Sequence, residues 1–212
     1  MPEQLKLKPA LYAEATPAGA YYAASSPVLD PARRMLQFIL RDDCDAPVDD
    51  QRLCFWATTK DLPTAMQVLY RLQRLGFIRG TQKPRQPPKE SLENLLPSLL
   101  ARLSDVGRTL LADDNGLYVA AAGFHHEAAE EIAALAGDLL TISQRHSLLL
   151  KNNLNLSSSA WALTDPTGQA ELGFYPLHVN NQAFVLIIGG TPRLQSDDFV
   201  TLVQALNRRY GG

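Results

Sequence analysis

The chain has little that reacts. Its 212 residues include only two cysteines, Cys44 and Cys54, and four histidines. Neither cysteine stands in a Cys-x-x-Cys pair or at a Cys/His ligand spacing, which argues against a zinc site. His125 and His126 lie at one end of an expected helix and His146 at the other, roughly 30 Å apart at 1.5 Å per residue, too far to share a metal. Gly-x-x-x-x-Gly-Lys is missing, so no phosphate loop is expected to hold nucleotide. Ser157, Ser158 and Ser159 have no Gly-x-Ser-x-Gly elbow around them. Asp113-Asp114-Asn115-Gly116 lacks the alternating ligands and the terminal Glu of a calcium loop. No apolar run approaches the roughly 18 residues that span a bilayer. "AGAYYAASS" has no basic flank and no proper apolar centre, so no signal peptide is expected. These absences describe a cytoplasmic, non-enzymatic protein with reduced thiols, no cofactor, no metal and no membrane partner.

What is present is an ordinary core-forming composition, 46% hydrophobic and 20% charged, long enough for one large or two small domains. The net charge of −2 hides an asymmetry. Residues 1–89 carry 13 Lys+Arg against 9 Asp+Glu, and residues 90–212 carry 7 against 13. Residues 60–89 alone hold seven basic side chains and one acid, Asp61. Two domains with different partners would account for this.

Residues 1–27 read as an arm or irregular lead-in, with Leu5 and Leu7 permitting a short strand. Asp30-Pro31 then reads as an N-cap followed by proline in the first turn. The helix after it places Met35, Phe38 and Ile39 on one face, with Arg33, Arg34 and Arg41 away from it. "DQRLCFWATTK" is a short helix offering Leu53, Phe55 and Trp56 to a core. Asp61 caps a third helix, stopped by Gly76, whose apolar stripe is Ala65, Val68, Leu69, Leu72 and Leu75. Gln67, Tyr70, Arg71 and Arg74 fall on its other side as a candidate partner or nucleic-acid face. A short strand follows. Three short helices and a strand outline a winged-helix-like domain over residues 1–80. On a recognition helix, Gln67, Arg71 and Arg74 could reach base edges while Lys83 and Arg85 neutralise phosphates; a solvated or protein-binding face is the simpler reading. "TQKPRQPPKE", residues 81–90, is polar, basic and proline-rich, and reads as a linker.

From residue 91 the pattern changes. Ser91 can cap a helix with Leu92, Leu95, Leu96, Leu99 and Leu103 on one side, ended by Gly107. "LLADDNGLYVAAAGF" follows, a hairpin whose Asn115-Gly116 suits a type I′ turn. A helix over 126–150 carries Ala129, Ile132, Ala136, Leu139 and Ile142 along one stripe. "SSSAWALTD", "AELGFYPLH" and "QAFVLIIGG" are three strands, turned at Pro166-Thr167-Gly168 and Asn180-Asn181, and a helix from Asp197 to Arg209 closes the chain. The expected class is α+β, a five-stranded antiparallel sheet with packed helices over residues 91–212.

The hairpin "LLADDNGLYVAAAGF" and the helix "EAAEEIAALAGDLL" after it resemble the Roadblock family, named for the dynein light chain. The resemblance covers a little over half the chain, with the later strands matching in order. It implies a binding module without catalytic residues, dimerised through the long helix and a sheet edge. Many such domains regulate or anchor small Ras-like GTPases. The stripe Ala129, Ile132, Ala136, Leu139 and Ile142, with the edge strand "SSSAWAL", is then the expected homodimer interface. The alternative is a transcription regulator whose N-terminal domain binds DNA and whose C-terminal domain dimerises it. A small-molecule sensor is disfavoured by the few polar groups on the strands.

Overall fold

Capping side chains fix where the helices of the N-terminal half begin. The computed structural model describes residues 5–42, 45–88 and 90–211, and Cys44 lies outside them. In chain order come β1 (Tyr12–Ala15), α1 (Pro17–Ala24), α2 (Pro31–Arg41), α3 (Asp50–Trp56), α4 (Leu62–Arg74) and β2 (Ile78–Thr81). There follow α5 (Leu92–Arg102), β3 (Thr109–Asp113), β4 (Tyr118–Ala122), α6 (His126–Arg145), β5 (Trp161–Thr164), β6 (Ala170–Val179), β7 (Gln182–Gly189) and α7 (Asp197–Tyr210). Leu149–Asn153, between α6 and β5, wind as one π-helical turn. The chain forms two compact units, Met1–Lys89 with Phe199–Gly212, and Glu90–Asp198. The last helix, expected with residues 91–212, thus falls almost wholly in the first unit.

In the first unit, Thr16, Asp30, Asp49 and Asp61 each accept the backbone N–H three residues on, opening α1, α2, α3 and α4. α1 lies where an irregular lead-in was expected. Thr16-Pro17 is the same cap-and-proline signal as Asp30-Pro31, and an alanine-rich run follows it. At the end of α4, Gly76 takes φ +69°. Its N–H bonds Gln73 and that of Phe77 bonds Leu72, the Schellman pattern that gives the last carbonyls partners. Met35, Leu36, Ile39, Leu53, Trp56, Ala65 and Leu72 are buried.

Three expectations here are corrected. Arg33 is buried, not turned away. Its Nε donates to the Tyr22 carbonyl at 2.9 Å, and Nη1 to the Val28 carbonyl and Asp30 at 2.6 and 2.9 Å. Its guanidinium also lies 4.3 Å from the Tyr22 ring centroid, so the buried charge is met by a carboxylate, two carbonyls and a ring face. Phe55 is 65% exposed, its ring resting on Phe38 at 5.1 Å, and Leu75 is exposed beyond the end of α4. β2 pairs antiparallel with β1, Tyr12 opposite Thr81 and Ala15 opposite Ile78. Among the described residues there is therefore no wing hairpin.

The second unit is α+β, with a five-stranded antiparallel sheet in the order β4-β3-β7-β6-β5. α5 precedes the hairpin, burying Leu96, Leu99 and Leu100. Ser91 has cap dihedrals but makes no side-chain cap bond. The helix stops at Arg102, before Gly107, because Ser104 leaves it to bridge Pro192 and donate its hydroxyl to the Gly189 carbonyl at 2.6 Å. The Asn115-Gly116 turn is also of another kind. Only Gly116 has positive φ, +78°, and Asp113 accepts the N–H groups of Asn115 and Leu117. That is a three-residue loop with a left-handed glycine, and the register shifts between Leu111 and Ala112.

Candidate protein interface

α6 reads differently once its neighbours are in place. Ala129, Ala133, Ala136 and Leu140, spaced i, i+4, i+7, i+11, are buried against Leu110, Ala112, Phe174, Val185 and Ile187 of the sheet. Methyl side chains let the helix lie close to the strands, and the hairpin turn presses closer still. A Cβ on Gly137 would sit 3.2 Å from the Gly116 Cα. Ala129 and Ala136 therefore face the sheet, and their placement in the expected dimer stripe is corrected. A second apolar row runs beside the first. Ile132 and Leu139 are half-buried at its margin, while Leu135 and Ile142 are 42% and 41% exposed.

This row continues beyond the helix. α6 ends at Arg145, short of the expected 150, and the chain turns through the π-helical residues into Asn155 at φ +54°. Asparagines tolerate that conformation and weaken the helix. Leu148, Leu149, Leu154 and Leu156 are exposed along it. Ser157–Ser159 precede the strand instead of forming it, and the Ser158 hydroxyl accepts the Ala160 N–H. β5 then runs along the sheet margin and, among the described residues, is paired on one side only, with β6. All four of its residues are exposed. The Trp161 indole donates to the Ser143 hydroxyl at 2.6 Å, which sets Trp161, and Leu163 two residues on, on the face that α6 covers. An unpaired strand edge beside a row of exposed leucines is a surface suited to another chain. The expected stripe left out Leu135, and the expected interface left out Leu154 and Leu156, whereas its edge strand already included Leu163. The available signal was size, since alanines alone can lie close to a sheet and the bulkier row must lie elsewhere.

In the first unit, Gln67, Tyr70, Arg71 and Arg74 are all exposed on α4, on the side away from its buried Ala65 and Leu72. Arg74 lies 5.9 Å from the Tyr70 ring centroid. This unit holds 15 basic and 9 acidic residues, a net +6, and the other holds 5 and 13, a net −8. Arg85, assigned above to phosphates, is instead committed to protein. It pairs with Glu14 at 3.0 Å and donates to the Thr201 hydroxyl at 2.8 Å, so the proline-rich segment is anchored. Burial works against ionisation of Glu14. Hydrogen bonds and charge from Arg79 and Arg85 outweigh it and hold that carboxyl below the usual range. Asp30 is also lowered: burial is again outweighed, by the Arg33 N–H, the Tyr22 hydroxyl and the Arg33 charge.

Of the histidines, His125 takes the N-cap position of α6 without a side-chain cap bond, and His146 ends the same helix. His126 Nδ1 is 2.6 Å from the Tyr118 hydroxyl and its Nε2 3.5 Å from Glu130. Among the described residues, no three His, Cys, Asp or Glu side chains are grouped to hold a metal, and no helix is long and apolar enough to cross a membrane.

No family model matches the chain, and no curated protein does. Among solved structures it is similar to a Roadblock/LC7 domain from Streptomyces avermitilis, at 14% identity and a TM-score of 0.36, over 57% of this chain and 93% of that one. It is similar also to Myxococcus xanthus MglB, at 14% identity and a TM-score of 0.38, over 58% of this chain and 92% of that one.

Proposed function

We propose that the chain is a non-enzymatic, Roadblock-type binding protein that forms a homodimer and engages a small Ras-like GTPase. The observation that carries the reading is the uncovered surface of the second unit: the Leu135 and Ile142 row, the leucines after it, and the free edge of β5. A second copy related by a two-fold axis would lay edge on edge and row on row, as an isologous contact requires. The order helix, hairpin, long helix, three strands, together with the small-residue second strand of the hairpin, supports the Roadblock assignment. The GTPase is the partner that the family resemblance implies.

A panel of purified small GTPases, each loaded with GDP or a non-hydrolysable GTP analogue, tests the partner. One member should bind the full chain saturably and with an affinity that depends on the nucleotide. Failure of every member, with the dimer intact, would leave a scaffold for another class of protein. The chain alone should hydrolyse neither GTP nor ATP above background. Turnover that survives repurification and is lost in a point variant would contradict the non-enzymatic reading.

A further inference from the structure

A cleft of 210 Å³ opens in the first unit between residues 5–13, α4 and β2. Its floor is apolar and fixed, since Met66 and Ile78 are buried. Leu69 and Leu11 form half-buried walls. The Leu11 carbonyl accepts the Val48 N–H at 2.9 Å, which holds the arm in place as one side of the cleft. Lys6 and Lys8 line the same cleft and are exposed, and neither makes an ion pair among the described residues. Tyr70 and Gln73 add a hydroxyl and an amide to the lining.

We infer that this cleft binds a small amphipathic carboxylate, an unbranched fatty acid of short to medium chain length, with its chain on Leu69, Met66 and Ile78 and its head at Lys6 and Lys8. Size argues for a slender ligand, because the volume falls below the roughly 300–1,000 Å³ of sites for drug-sized molecules. Charge argues for an acid. The two lysines present uncommitted ammonium groups, whereas the Arg79 guanidinium in the same lining already grips both oxygens of Glu14 at 3.0 and 3.1 Å. The net +6 of the unit favours approach of an anion. Apolar walls with a few polar groups at the mouth are the usual composition of such a site.

The test titrates the full chain with decanoate below its micelle concentration, and with 1-decanol and a leucine-rich peptide as rivals. Calorimetry and methyl NMR are read together. Decanoate should bind saturably at one site and shift the methyl signals of Leu69, Met66 and Ile78. Leu69→Trp, which fills the cleft, should weaken binding by about tenfold or more. Lys6→Gln with Lys8→Gln should weaken decanoate by about fivefold and leave the alcohol unchanged. The wild-type methyl shifts decide the matter if the tryptophan variant does not fold. The inference is overturned if decanoate gives no saturable shift at these methyls, or if the alcohol binds as tightly as the acid. It is also overturned if only the peptide binds there, which would make the cleft a protein-docking site.

Discussion

α4 and α6 look alike on a helical wheel, each with an apolar side and a second side, yet their outer faces make opposite demands. α4 buries Ala65, Met66 and Leu72 and turns Gln67, Tyr70, Arg71 and Arg74 to water. α6 buries its alanines and turns Leu135 and Ile142 to water, with more exposed leucines in the segment after it. Water satisfies the first face. The second gains roughly 25 cal/mol for each Å² of apolar surface that another chain removes from water. Exposure of large apolar side chains beside an open strand edge therefore distinguishes an interface from a solvated helix, and net amphipathicity does not.

Substitutions on the inner row of α6 should have the largest effect. Ala136→Asp places a carboxylate in a fully buried position against the sheet, where no partner awaits it. It should cost about 3 kcal/mol or more and abolish cooperative unfolding of the second unit, read by thermal denaturation. Arg33→Met should rank next, removing the donors that serve the Tyr22 and Val28 carbonyls. Its cost should be about 2–3 kcal/mol, confined to the first unit and resolvable by hydrogen exchange.

Acid should weaken the first unit. Glu14 and Asp30 have folded-state pKa values lowered below the unfolded ones. Their contribution is therefore complete above the unfolded values of about 4 and is lost as pH falls through the lowered folded values. Melting temperature of the first unit should be flat from neutrality to about pH 5 and drop below it. Glu14→Gln should flatten part of that drop while lowering stability at neutral pH. The smallest effect belongs to the outer face of α4. Arg71→Ala with Arg74→Ala should change neither melting temperature nor self-association. Duplex DNA should be bound without sequence preference at about 0.15 M salt. A sequence-selective gel shift abolished by Arg71→Ala would instead favour the DNA-binding reading.

Local signals carried the element order into view. Caps at Asp30 and Asp61, the glycine stop at Gly76 and the turns at Gly116, Gly168 and Asn180 are each decided within a few residues. The five strands of the sheet were legible for the same reason, although β5 proved shorter than the expected "SSSAWALTD", since Ser157–Ser159 remain outside it. Long-range choices were not legible. Pairing of β1 with β2 joins residues more than sixty positions apart, and the burial of Arg33 depends on carbonyls that only the fold assembles. The same limit governed α6. Periodicity showed an apolar side, but which row meets the sheet depends on how closely the strands approach. Ile132, Leu139 and Ile142 were placed on the expected interface together with two alanines that the sheet already covers.

Sedimentation of the full chain, alongside Leu135→Glu with Ile142→Glu, tests the central claim most directly. At micromolar concentration the wild type should sediment at twice its 23.3 kDa chain mass. The double variant should sediment at the single-chain mass with an unchanged circular dichroism spectrum, since both side chains are exposed in the isolated chain. A wild type that stays at the single-chain mass, or a folded variant that still dimerises, would contradict the assignment of this surface.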